Sequence, residues 1–425
     1  MANATQLDTC IDMKCFYASV ECRERGLNPF ETCLVVADVS RGSNALCLAI
    51  SPKMKALGVR NRCRLSEIPK DIKYIIAPPQ MALYIKVAAD IYDIYLDYVS
   101  PEDIHVYSID EAFIHITPYL KIYNMDAMSF VKMLLDEIAL RAKIPATAGI
   151  GTNLYLAKIA LDITAKKNKS HIAYLDEETY RETLWTHRPI TDFWQVAEGT
   201  ANRLARLAIY DMRGIAHGPV DLLYKTFGVN AELLIDHAWG REPCTIADIK
   251  QYKSKSKSVS FSQILPRDYS FDEARIVMTE MVQHGAYELM RRHVVASRVC
   301  IYVAYTRSEI PSTHAAARLG VVTALNSKFA PVVKELYDSN VNRTVKIRRL
   351  GISFENVVDE GCEGYDLFTN MEDVEREKSR EHVVLALKAK YGKNAVLVGT
   401  NFMECATQRE RNTFIGGHRA GDDTN

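Results

Sequence analysis

The sequence predicts a multidomain α+β protein, and three observations lead there. The order strand, helix, strand, strand, helix, strand can be read twice, within residues 1–165 and again within 258–355. Between these units, residues 166–245 carry only a helical pattern. A lysine/serine run, Lys250-Gln251-Tyr252-Lys253-Ser254-Lys255-Ser256-Lys257-Ser258, has no core-forming side chain except Tyr252 and reads as part of a linker over 246–257.

The elements follow in order. Residues 6–12 read as an apolar strand ending on Asp12, and 14–25 as a helix with Phe16, Val20 and Cys22 among its apolar positions. Strands at about 33–38 and 45–50 flank Ser40-Arg41-Gly42-Ser43-Asn44, a turn by composition. Ser51-Pro52 opens a short helix ending at Gly58, with proline in the first turn and glycine just past the end. An apolar connector from Ile72 to Pro79 leads to a long helix at 81–99. Strand, acidic turn and strand fill 104–117, and a helix at 126–143, a strand at 146–150 and a helix from Asn153 complete the first unit. In the second unit, strands at 258–265, 296–305, 314–325 and 344–355 alternate with helices at 272–292 and 327–338. Gly364-Tyr365-Asp366-Leu367-Phe368 then precedes a charged helix at 372–391 and an extended tail, within a C-terminal part spanning 356–425.

Composition narrows the class. A chain of 425 residues is too long for one core and suits three or four domains. Lys+Arg and Asp+Glu both total 53, which argues against a nucleic-acid-coating protein but leaves room for local basic patches. No stretch approaches the roughly 20 apolar residues of a membrane span, and the N-terminus lacks the basic and apolar regions of a signal peptide. The 10 cysteines include no Cys-x-x-Cys pair, so neither a zinc site nor a disulfide framework is expected, and reducing cytoplasm is the fitting compartment.

The chemistry concentrates in Tyr107-Ser108-Ile109-Asp110-Glu111-Ala112-Phe113 and in Asp12. Strand neighbours point to opposite faces, so Asp110 and Glu111 converge only where the backbone bends. Grouped carboxylates need a positive partner, and a hard divalent cation with oxygen ligands supplies one. On spacing alone, two readings stand: a two-metal phosphoryl-transfer site, or a solvated hairpin with Asp12 capping the next helix.

Asp12-Met13-Lys14-Cys15-Phe16-Tyr17-Ala18-Ser19-Val20-Glu21, taken with the heptapeptide, resembles the signature of Y-family (translesion) DNA polymerases, and the element order resembles their bacterial UmuC-type branch. The resemblance runs from about residue 6 to about 415. It implies a ferredoxin-like palm at 1–165 with fingers inserted at about 28–77, and a thumb with a helix-hairpin-helix at 166–245. It also implies a little finger at 258–355. The implied function is template-directed translesion synthesis in DNA repair, within an SOS-type damage response. Two Mg²⁺ ions would be held by Asp12, Asp110, Glu111 and the main-chain carbonyl of Met13.

By the same resemblance, Tyr17 and Phe16 line the nucleotide site, with Tyr17 excluding a ribose 2′-hydroxyl, and Lys158 reaches the triphosphate. Lys55 falls where many relatives carry an arginine, although Pro52 replaces the family's upstream tyrosine. The hairpin stretch is Trp194 to Leu204, with Gly199 offered to a DNA phosphate. Ala197 stands at the family's first hairpin glycine and Glu198 adds negative charge, so this turn is either remodelled or weak in its grip. Lys253, Lys255 and Lys257 would follow the DNA backbone. Tyr365, Leu367 and Phe368 resemble a sliding-clamp peptide whose leading glutamine is Gly364 here. Primer-template DNA, dNTPs, a sliding clamp and an accessory subunit are the implied partners, with no membrane. A nucleotide cyclase and a non-catalytic scaffold are the rivals; Phe16-Tyr17 and the second βαββαβ unit oppose the first, retention of Asp12, Asp110, Glu111 and Lys158 the second.

Overall fold

The computed structural model describes residues 6–42, 44–254, 257–307 and 309–421. Lys255 lies outside the described residues. The described residues divide into two compact units, one running to Tyr252 and including Gly421, the other Lys253–Ala420.

In the first unit, β1 (Asp8–Met13) leads into α1 (Phe16–Glu24). A small sheet of β2 (Leu34–Val36), β3 (Ala49–Ile50) and β4 (Ile75–Ala77), with the short α2 (Pro52–Ala56), forms the fingers. Its own core contains Val35, Cys47, Ile50, Met54 and Ile68. The Ser51 side chain caps α2 by accepting from the Met54 amide, and Gly58 takes φ +84° just past it, as the Ser-Pro…Gly spacing requires. Next come α3 (Met81–Leu96), β5 (Ile104–Val106), β6 (Glu111–His115), α4 (Thr117–Tyr123), α5 (Ala127–Glu137), β7 (Ala146–Gly151), α6 (Leu154–Ile159) and β8 (Ile172–Leu175).

The palm sheet runs β5-β6-β1-β7-β8. Without β8 this is the fourth-first-third-second order of a ferredoxin-like βαββαβ sheet, antiparallel throughout. β1 is central and buried on both faces: Cys10 and Ile11 are fully buried. β8 adds a fifth strand parallel to β7, so the palm continues past 165 and the segment 166–245 is not helical at its start. From α7 (Glu177–Leu184) onward it is helical, through α8 (Glu198–Ala205), α9 (Met212–Ala216), α10 (Val220–Phe227) and α11 (Asn230–Ala238), around Tyr180, Phe193, Leu204 and Leu223. The expected linker also differs, because its first half is α12 (Ile246–Gln251). Thr245 and Asp248 form a capping box there, and Ile246 packs against Cys10, Phe113 and Leu161, so α12 belongs to the palm's core.

The second unit is the little finger: β9 (Ser258–Tyr269), α13 (Phe271–Arg291), β10 (Val294–Tyr305), β11 (Thr313–Thr323), α14 (Asn326–Asn340) and β12 (Ile347–Glu355). Its sheet, β11-β10-β12-β9, is antiparallel, with the second and fourth strands central. The tail is not extended. After α15 (Met371–Tyr391) the chain folds back so that Asn401 Nδ2 and the Thr407 amide donate to the buried carboxylate of Glu280 on α13, at 2.6 and 2.8 Å.

Candidate active site

Strand pairing sets the acidic residues side by side. Asp12 on β1 lies opposite Glu111 on β6, and the Met13 amide donates to the Asp110 carbonyl at 2.9 Å. Residues 108–110 form a bend ahead of β6, which frees Asp110 from strand alternation. Ser108 Oγ holds it by donating to Asp110 Oδ1 at 2.6 Å.

Two glycines bring a cation to this edge. A Cβ on Gly149 would lie 2.2 Å from the Ala157 carbonyl oxygen, and one on Gly151 2.2 Å from the Ala157 nitrogen. Only a strand without side chains there lets α6 approach so closely. Lys158 Nζ then sits 2.7 Å from Glu111 Oε1 and 2.9 Å from Asp162 Oδ2. α6 continues into a π-turn, Ala160–Thr164, whose wider spacing keeps Lys158, Asp162 and Lys166 along one face. Lys166 Nζ bonds Asp12 Oδ2 and Asp162 Oδ1, each at 2.8 Å. Charge therefore alternates along Glu111, Lys158, Asp162, Lys166 and Asp12. Cys10, buried beneath, donates its thiol to Glu111 Oε1 at 2.9 Å.

The electrostatics follow from burial. Burial pushes the Asp12 carboxyl above its usual range, with Asp110 and Glu111 adding to that, while Lys166 opposes them. Burial acts the same way on Asp162, but Lys166 and Lys158 outweigh it and hold the carboxyl low. Among the described residues, no three His, Cys, Asp or Glu side chains gather around one point. Asp12 turns to Lys166, Glu111 to Lys158 and Asp110 to Ser108. The donor set nevertheless suits Mg²⁺: three carboxylates offering oxygen donors at one end of the sheet, each partly exposed.

The remaining expected residues fall in different places. Both lysines face carboxylates, but Lys158 is buried at 8% side-chain exposure whereas Lys166, at 40%, is the more open of the two. The spacing of Lys158, Asp162 and Lys166, alternating charges four apart on a helix, is the signal that points to Lys166. Phe16 is buried in the core and Tyr17 is the half-exposed ring. Tyr17 stacks on Tyr84 at 4.4 Å and 14°, and Tyr84 Oη donates to the buried Glu21 at 2.5 Å. Lys55 lies beside the Cys15 thiol.

Ala197 has ordinary φ (−86°), and the left-handed residue of this stretch is Gln195 (φ +67°). Gly199 is exposed in the first turn of α8. Lys253 and Lys257 are exposed at the start of the second unit. Gly364 pairs with Val322 through two backbone hydrogen bonds, and Tyr365 is half-buried with its hydroxyl 3.0 Å from Thr323 Oγ1. Leu367 and Phe368 are 100% and 94% exposed.

Comparison with known proteins agrees with this architecture. The impB/mucB/samB family matches residues 11–162, and its C-terminal domain matches residues 256–367. The Bacillus subtilis (strain 168) protein UvrX, whose name assigns it provisionally to UV-damage repair, is 30% identical over 97% of each chain. DNA polymerase IV 2 of the same organism is 28% identical over 96% of this chain and 97% of its own. In fold, a Y-family DNA polymerase chimera, Dbh-Dpo4(243-245)-Dbh, superposes with a TM-score of 0.65 at 19% identity, covering 83% of this chain and 99% of its own. A palm carrying paired carboxylates, a helical thumb, a separate little finger and this kinship together make the chain a member of the Y family, a DNA-directed DNA polymerase.

Proposed function

We propose that the chain performs translesion synthesis, adding dNTPs opposite damaged or blocked template positions with two Mg²⁺ ions. The pairing of Asp12 with Glu111, beside the bend holding Asp110, is the observation that carries this reading. Asp12, Asp110 and Glu111, with the Met13 carbonyl, would hold the ions. When bound, Mg²⁺ makes the primer 3′-hydroxyl more acidic and offsets charge on the reacting phosphates.

The chain's own groups do the positioning. Lys158 and Cys10 fix Glu111 from below, and Lys166 is placed to exchange Asp12 for the triphosphate, with Lys55 as a second point charge. Tyr17, braced by Tyr84, faces the sugar. Gly199 and the lysines at 253, 255 and 257 would contact DNA phosphates, and Leu367 with Phe368 would dock on a sliding clamp. Damage-induced expression and a cytoplasmic site of action complete the reading, and no described helix is long and apolar enough to cross a membrane.

Primer extension with and without Mg²⁺, on intact and abasic templates, tests it. Extension past the abasic site should require Mg²⁺. Asp110→Asn should abolish extension while leaving the melting curve intact, because a nearly isosteric change removes one ligand charge. Normal extension by the folded variant would refute the two-metal assignment.

A further inference from the structure

Strand order separates the two ends of the site. Asp110 and Glu111 lie on the β6 side of β1, whereas Lys14 belongs to the β7–β8 side. Its amide donates to the Pro145 carbonyl at 2.7 Å, just ahead of β7. Its Nζ reaches the ring of His171, the residue before β8, at 3.0 Å from Nδ1. His171 takes left-handed φ (+58°), and its carbonyl accepts from the Ala148 amide at 2.9 Å, so its backbone is tied to β7 while the ring meets Lys14.

Lys14 is part-buried, yet among the described residues no carboxylate lies within 4.0 Å of its ammonium. Burial disfavours its charge, and Lys55 and Lys166 act the same way, opposed by Cys15 and Asp12. Lys166 is already paired with Asp12 and Asp162 and Lys55 is exposed, so among the described residues Lys14 is the part-buried ammonium of the three left without a carboxylate, a costly state unless an anion joins it. The reaction brings one in. The primer 3′-oxygen forms a bond to the α-phosphorus, the bond from that phosphorus to the bridging oxygen breaks, and pyrophosphate leaves with the electron pair as the 3′-hydroxyl proton passes to solvent. The primer end and α-phosphorus belong by the carboxylates, so the β- and γ-phosphates extend toward the other side of Asp12.

We propose that Lys14, steadied by His171, is a further substrate-binding residue that grips the pyrophosphate portion of the incoming nucleotide and seats pyrophosphate before its release. The assignment rests on the polymerase reading of the site. Lys14 is the contact, and His171 is a positioning residue that fixes where the ammonium sits.

Steady-state single-nucleotide extension with Lys14→Met, Lys14→Arg and His171→Gly tests it, the last keeping the left-handed backbone unstrained. Lys14→Met should raise KM for dNTP about tenfold, the scale of one lost charge-assisted hydrogen bond, with kcat within about threefold of the parent. Inhibition by inorganic pyrophosphate should weaken by the same factor. Lys14→Arg should restore most of both, and His171→Gly should raise KM by about threefold. Unchanged KM and unchanged pyrophosphate inhibition in Lys14→Met would overturn the proposal, as would a loss confined to kcat. Those outcomes leave the polymerase reading standing if Asp110→Asn is inactive in the same assay. An active Asp110→Asn enzyme would instead remove the reading and the proposal together.

Discussion

The indole nitrogen of Trp194 donates to the phenolic oxygen of Tyr107 at 3.1 Å, with the rings edge to face at 5.8 Å and 81°. Trp194 precedes α8 in the thumb, and Tyr107 leads into the acidic bend, where its amide donates to the Glu111 carbonyl at 3.0 Å. The contact ties the thumb's loop to the base of the acidic hairpin. Trp194→Phe keeps the ring packing and removes the N–H. One lost hydrogen bond of about 1 kcal/mol predicts a fall of about fivefold in single-turnover extension rate with little change in melting temperature. An unchanged rate would reduce the contact to packing.

Sugar selection should depend on Tyr17 and on what braces it. The stack on Tyr84, itself held by Glu21, limits the ring's freedom to swing away. Tyr17→Ala should raise ribonucleotide incorporation relative to deoxyribonucleotide by roughly tenfold to a hundredfold, the range of 1–3 kcal/mol that steric exclusion supplies. Tyr84→Leu should shift the ratio in the same direction by less. Competing specificity constants measure both, and an unchanged ratio in Tyr17→Ala would reassign that residue to packing.

The second unit should weaken in acid through His284. Burial lowers its pKa to about 4, and Arg411, Lys393 and Lys388 push the same way against Glu288. The folded state therefore prefers neutral imidazole, while the unfolded chain protonates near 6.5. The stability tied to this difference is present above about pH 6.5 and is lost as pH falls from there toward 4, by at most about 3 kcal/mol. His284→Phe, whose ring can keep the edge-to-face contact with Phe261 at 4.9 Å, should flatten that dependence. Urea unfolding of the full chain at pH 7 and 5 measures it, and equal slopes for parent and variant would exclude His284 as the source.

What could be read from the sequence was local. Asp12 and the Asp110–Glu111 pair stand in contiguous motifs, and both βαββαβ orders announce themselves through hydrophobic period. β8 did not, because a four-residue strand with Tyr174 exposed takes its identity from pairing with β7 rather than from its own pattern. α12 was hidden by the lysines after it, although Thr245 and Asp248 carry a capping-box spacing. The roles of Lys158 and Lys166 separate only through depth, which depends on how closely Gly149 and Gly151 admit α6. The folded tail depends on Glu280, a charge whose partners lie more than 100 residues away.

The exposed pair Leu367 and Phe368 should separate processivity from chemistry. Tyr365 is pinned to β11 through Thr323, and Asp366 Oδ1 accepts from the Phe368 amide at 3.1 Å and the Thr369 hydroxyl at 2.7 Å, so the loop is shaped while its two apolar tips stay in water. Burying such anchors in a clamp pocket contributes roughly 2 kcal/mol each. Leu367→Ala with Phe368→Ala should therefore weaken clamp binding about a thousandfold. Single-nucleotide addition on free primer should be unchanged, because neither residue is near the carboxylates in sequence or belongs to the palm. Gly364 supplies no side-chain hydrogen bond and spends its backbone on Val322, so parent affinity should itself be modest. Product lengths with and without a bacterial sliding clamp decide the matter. If the clamp lengthens the products of parent and double variant equally, the two side chains serve some contact other than the clamp.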